Sequence, residues 1–335
     1  MRAADLDYEL PSELIAQRAA EPRDSARLLV YDRERGAVRH RRFLDLPSEL
    51  SESDLVVVND ARVLPVRLRA RRSTGGSAEV LLLEPCGNGA WEALVRPYRR
   101  LHLGETLQAG DLAVTIVERL GEGRALVRPQ AAGSLEAALE RVGEMPLPPY
   151  ITEPLRDRSR YQTVYAREPG SAAAPTAGLH FTERLWEQVQ ERHEVVAVTL
   201  DVGLDTFRPL AVDVVEEHPI HSERYHVAPA AAAAVERARG EGRRVVAVGT
   251  TTVRVLETVF GEPRGELEGR SRLLITPGFR FRATDAMVTN FHLPRSTLLA
   301  MVMAFAGVEQ TRDLYRTAVS ERYRFYSFGD ATLIL

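Results

Sequence analysis

Lysine is missing from this 335-residue chain, so all 44 of its basic residues are arginine. No Schiff base, phosphate-loop lysine or lysine general base is therefore available, and a guanidinium stays protonated at any working pH. Proton abstraction falls to Asp, Glu, His or Tyr. Cysteine is almost absent too. Cys86 stands alone, which excludes disulfides and cysteine-rich metal sites and makes the cytoplasm the expected compartment. The longest apolar run, 298–308, falls well short of the roughly 20 residues of a membrane span, so no membrane partner is expected. The N-terminal MRAADLDYEL lacks the basic, apolar and small-residue succession of a secretory signal. A large charge excess is lacking as well. The net charge of −3 argues against a chain coated in basic residues, yet leaves room for a local basic patch.

What is present reads as a soluble globular chain of two domains, with 44% apolar and 27% charged residues. Residues 11–20 read as a short helix entered through Pro11 and Ser12. Residues 27–32 and 37–43 form a hairpin around Gly36. The run 54–58, DLVVV, is a strand buried on both faces, ending in Asn59, Asp60 and Arg62. Polar residues at the carboxyl end of such a strand occupy the usual ligand position of an open α/β sheet, though Asn and Asp also make ordinary turns.

The texture changes after Arg62. Val66, Leu68 and Ala70 alternate with Arg67, Arg69 and Arg71, and further short strands follow at 79–84, 91–96, 112–118 and 124–128. Closely spaced strands bounded by Gly, Pro or Asn predict a small antiparallel barrel, placed at 61–147. Its arginine row is a candidate phosphate track; a solvated strand face is the plainer account. The remaining segments, 1–60 and 148–335, make one discontinuous α/β domain with the barrel inserted in it.

Beyond the stiff PLPP exit, the loop PTAGLHFT places Thr176, Gly178 and His180 before a helix capped by Thr182. A second buried strand, 195–200, ends in Asp201, Gly203 and Asp205, a carboxylate pair that suits divided acid and base roles if burial separates their pKa values. His218, His221 and His226 do not carry a zinc site, because their spacing fits no helix and no cysteine pair completes the set. A third buried strand, 243–249, runs through Gly249 into Thr250, Thr251, Thr252 and a helix bearing Arg254, without a GxGxxG or a phosphate-loop lysine. Finally Asn290, His292, Arg295, Ser296 and Thr297 crowd the mouth of an all-apolar helix at 298–307. The strands at 54, 195 and 243 alternate with helices and release polar residues at their carboxyl ends, which predicts a shared cleft.

Taken together, YELPSELIAQ, VVVNDARVLPVRL, PLPPYI, RYQTVYA, PTAGLHFT, LDVGLDTFRP, HSERY, VVAVGTTTVRVLE, TPGF and TNFHLPRSTLLAMV resemble, in order and over nearly the whole length, the S-adenosylmethionine:tRNA ribosyltransferase-isomerases of queuosine synthesis. The resemblance implies an α/β domain interrupted by a β-barrel. It also implies transfer and isomerisation of a ribosyl group from S-adenosylmethionine onto 7-aminomethyl-7-deazaguanine at the tRNA wobble position. S-adenosylmethionine is then a consumed co-substrate, with no other cofactor and no metal, and the tRNAs are those with G-U-N anticodons. That chemistry needs bases and acids, for which Asp60, Asp201, Asp205, His180, His221 and His292 are candidates. Asp201 or Asp205 is expected near the attacking amine, and His180 or His292 near adenine. Substrate binding falls to Asn59, Arg62, Thr176, Gly178, Gly203, Gly249, Thr250, Thr251, Arg254, Asn290, Arg295, Ser296 and Thr297, and RNA to Arg67, Arg69 and Arg71. A non-catalytic RNA-binding protein and an S-adenosylmethionine-dependent methyltransferase are the alternatives. Monomer and homodimer stay open.

Overall fold

Apolar β-branched runs set the frame. The computed structural model describes residues 1–203, 210–220 and 222–335, so Asp205 and His221 lie outside the described residues. Strands β1 (Arg27–Asp32) and β2 (Ala37–Arg42) pair antiparallel, and Gly36 supplies the left-handed φ of +61° at their turn. A one-turn helix α1 (Leu46–Glu49) leads to β3 (Leu55–Asn59), buried along its whole length. The short β4 (Ala61–Val63) precedes six strands: β5 (Arg67–Arg72), β6 (Ser77–Gly87), β7 (Ala90–Arg96), β8 (Thr106–Ala109), β9 (Leu112–Gly121) and β10 (Arg124–Gln130). Helix α2 (Leu135–Val142) and strand β11 (Glu168–Ser171) follow.

The chain then alternates strand and helix. In order come α3 (Glu183–Arg192), β12 (Glu194–Leu200), β13 (Glu223–His226), α4 (Pro229–Gly240), β14 (Val245–Val248), α5 (Thr250–Phe260) and β15 (Glu268–Ser271). After them are β16 (Ala286–Asn290), α6 (Thr297–Ala306), α7 (Val308–Ser320) and β17 (Ala331–Ile334).

Nine strands form one mixed sheet in the order β15-β13-β12-β3-β14-β16-β17-β1-β2. Its centre, β12-β3-β14-β16, is parallel. Val56, Val58, Val246, Val248, Ala286 and Val288 line one face against Phe43, Leu46, Phe181, Leu185 and Val189. Leu55, Val57, Val245 and Ala247 alternate with them and are equally buried, so both faces are covered. Helices α4 and α5 pack on the central strands. The connection from β3 to β12 returns through α3 on one face, whereas β14 runs into α5 on the other. That divergence is the topological switch at which open α/β sheets bind ligands.

The other six strands close into an antiparallel barrel, β10-β7-β6-β5-β8-β9. Leu68, Val80, Val95, Leu107, Val114, Ile116 and Val127 fill it. One compact unit comprises residues 1–61, 149–168 and 174–335; the second comprises 62–148 and also 169–173, because β11 pairs with β4. The return at 169–173 was not expected from the sequence.

One element differs from expectation. Residues 11–20 are not a helix: only Ser12–Leu14 forms a 3-10 turn. The backbone of Leu14 and Ala16 is engaged by Phe325 instead, at 2.8 and 3.3 Å, so a long-range bridge replaces the helical bonds.

Candidate active site

Each parallel strand delivers its polar residues to one edge of the sheet. Asn59 closes β3 and is wholly buried. Its amide nitrogen donates to the Leu200 carbonyl at 3.1 Å and to the Thr251 hydroxyl at 3.2 Å, while its oxygen accepts from the backbone of Ala61 and Leu200 at 3.1 Å each. All four bonding positions of the amide are used. Asn59 thus clamps β3, β12 and the start of α5 together.

At the end of β14 the chain turns through Gly249, whose φ of +96° favours glycine. Thr250, Thr251 and Thr252 form the first turn of α5. Thr252 bonds back to the Val248 carbonyl at 2.8 Å. A Cβ on Gly249 would lie 3.7 Å from that of Ala177, so the PTAG loop abuts this turn.

That loop is a 3-10 turn, Thr176–His180. His180 is buried and stacked on Phe43 at 4.8 Å, rather than standing at a rim as its loop position suggested. The Thr176 hydroxyl donates to Asn290 at 3.0 Å, and the Asn290 amide nitrogen lies 3.1 Å from His180 Nε2. Burial lowers the His180 pKa to about 3, so the neutral ring accepts this bond. Asn290 therefore joins the end of β16 to the PTAG loop.

His292 is also buried, with its pKa lowered to about 3 by desolvation. Its Nε2 shares a 2.7 Å bond with Thr289, its backbone N–H donates to Tyr315 at 3.0 Å, and its carbonyl accepts from Tyr8 at 2.6 Å. At neutral pH neither His180 nor His292 carries the imidazolium proton that a leaving adenine would take. Nearby, Ser296 caps α6 by accepting from Leu299 at 3.2 Å, ahead of Thr297. Arg295 precedes it at φ +53° with an exposed side chain.

The carboxylates differ in setting. Asp60 is buried, and desolvation raises its pKa despite a 2.7 Å bond from Thr199. It borders a cavity of about 90 Å³ with Tyr165, Arg167, Trp186 and Gln190. Asp201 Oδ2 accepts from Arg224 Nε and Nη2, both at 2.8 Å. Gly203 donates its N–H to Glu223 at 2.8 Å, and Glu223 in turn binds Arg254 Nη1. Arg254 is the oddity. Its side chain is only 10% exposed, yet Nε and Nη2 have no hydrogen-bond partner among the described residues. These two nitrogens form the edge of the guanidinium fork that matches a carboxylate.

Sequence reasoning named Arg254 but missed Glu223 and Arg224, although both stand in the HSERY motif. Their alternation with Tyr225 was the available signal. Among the described residues no cluster of three metal-ligating side chains occurs. In the barrel unit, Arg62 is held by Glu136 and Glu140 of α2. Arg69 is 78% exposed and paired with Glu144 at 2.8 Å, Arg71 is exposed, and Arg67 is half-buried.

Hydroxyls, amides and one buried guanidinium stand at the carboxyl ends of the parallel strands, the usual ligand position of an open α/β sheet. The family described as "Queuosine biosynthesis protein" matches residues 3–334. Curated relatives named S-adenosylmethionine:tRNA ribosyltransferase-isomerase are similar throughout: 54% identity to that of Moorella thermoacetica and 52% to that of Symbiobacterium thermophilum, covering 100% of both chains in each case. A crystal structure of S-adenosylmethionine tRNA ribosyltransferase from Thermotoga maritima superimposes with a TM-score of 0.58 at 38% identity, over 99% of this chain and 100% of that one. The chain belongs to this family of tRNA-modifying transferase-isomerases of queuosine biosynthesis.

Proposed function

We propose that the protein transfers and isomerises the ribosyl group of S-adenosylmethionine onto 7-aminomethyl-7-deazaguanine in the wobble position of G-U-N tRNAs. The products are epoxyqueuosine in tRNA, adenine and methionine. The donor is consumed, and the reaction needs no resident cofactor and takes place in the cytoplasm. The observation that carries the donor assignment is the buried, half-used fork of Arg254 beside Gly203 and Glu223. A buried guanidinium with two unmade bonds is costly alone and is relieved by an incoming carboxylate, such as that of the methionyl group. The first-turn amides of α5 lie one helical turn away and also favour anionic ligand groups.

The sulfonium acidifies the neighbouring ribose carbon, so a carboxylate is a sufficient base. Of the described candidates, Asp60 fits that role better than Asp201. Burial raises its proton affinity, whereas Arg224 already neutralises Asp201. The test is product analysis. With tRNA bearing the aminomethyl base, adenine and methionine should accumulate in equal amounts, and a chelator should leave the rate unchanged. Unmodified tRNA should give neither product. Failure to release adenine from the competent tRNA would contradict the reading.

A further inference from the structure

Away from the strand ends, the carboxyl end of α5 borders a cleft of about 480 Å³. At about 1.5 Å per residue, the eleven residues of α5 place it roughly 15 Å along the helix from Thr250. Arg270, Arg272, Arg280 and Arg282 line it, together with Glu257 and Glu262.

The two acids do not balance the four cations. Glu257 is buried, and its oxygens accept from the backbone N–H groups of Arg282 and Ala283 at 2.8 and 3.0 Å. Its carboxylate is thereby committed to the turn that opens β16. Glu262 pairs with Arg282 at 3.0 Å. Arg272 and Arg280 are exposed and meet no carboxylate among the described residues. Arg270 is fixed on the rim, where Nε and Nη2 donate to the Ser222 hydroxyl and carbonyl at 2.8 and 2.7 Å. In the β13–β15 pairing it also stands directly opposite Arg224. The Arg224 charge is balanced there by Asp201. A chain of net charge −3 thus has four arginines lining one concavity.

We infer that this cleft is a phosphodiester-backbone contact for tRNA, distinct from the donor site. Arginine forks match phosphate oxygens in pairs. Two of the four are open to solvent, which suits a hydrated polyanion track rather than a sealed pocket for one ion. The inference rests on the proposed function, which supplies the RNA partner.

The test uses the whole chain and tRNA bearing the aminomethyl base, with affinity measured across a salt series. Arg272→Gln/Arg280→Gln should weaken binding and flatten the log–log salt slope by about 0.7–0.9 per lost contact, so about 1.5 in all. The affinity for S-adenosylmethionine should not change. Arg272→Lys/Arg280→Lys, which keeps the charge, should retain most of the slope. Arg264→Gln should leave it unaltered, since that exposed arginine is already paired with Glu236. Normal tRNA binding with an unchanged slope in the double Gln variant overturns the inference alone. A wild-type protein that releases no adenine from this tRNA overturns the reading of function instead.

Discussion

Arg254 carries two burdens that can be separated. Its Nη1 bond holds Glu223, itself only 8% exposed, and its Nε–Nη2 edge meets no partner among the described residues. Arg254→Met keeps much of the side-chain volume but strands a buried carboxylate, at a cost of about 3–5 kcal/mol in unfolding free energy. Adding Glu223→Gln removes the stranded charge and should restore most of that stability in urea titrations. The KM for S-adenosylmethionine should stay raised about tenfold or more in the double variant, the loss of one or two charge-assisted bonds. A double variant with normal KM would make Arg254 purely structural. The arginine was visible in the sequence because it follows a strand–turn threonine run. Glu223, although part of the HSERY motif, was not singled out, because its partner lies on α5, 31 positions further along the chain.

At the level of elements, the PTAG turn is held by close packing as well as by its own bonds, such as that from Gly178 N–H to the Pro175 carbonyl at 2.9 Å. A Cβ on Gly178 would fall 2.0 Å from the Tyr165 hydroxyl and 2.8 Å from Thr163 Cγ2. Both neighbours are buried, so neither can swing aside. Gly178→Ala should destabilise the protein by about 1–3 kcal/mol, the usual range for overpacking, and should lower turnover by shifting Thr176 and His180. Gly203→Ala, whose Cβ would lie 3.6 Å from Glu223, should be milder. Equal thermal stabilities for the two variants would show that the turn is not rigid. The glycine itself stood out in the sequence, but Tyr165, the atom it must avoid, did not. By contrast, the Pro11–Ser12 start signal suggested a helix over 11–20 that Phe325 overrides, a tertiary choice no local pattern records.

Across the whole molecule, the strands at 54 and 243 were legible because strands covered on both faces are unbroken apolar runs, whereas the strand at 195, expected to be buried, is buried only at Val198 and Leu200. Their polar ends stood out against that background, and the inserted barrel showed in its two-residue alternation. Side-chain fates were not legible. Asn59 and Thr251 were candidate ligand groups, yet each is engaged with the other. His180 and His292 are neutral and enclosed, since burial depends on neighbours far away in the chain. The central claim concerns which part of the donor the protein moves. A donor labelled with one isotope in the ribose carbons and another in the methyl group tests it most directly. The account predicts the ribose label in tRNA and the methyl label in free methionine, with one adenine released per modified tRNA. Methyl label in the tRNA, with adenine still attached to the spent donor, would contradict it.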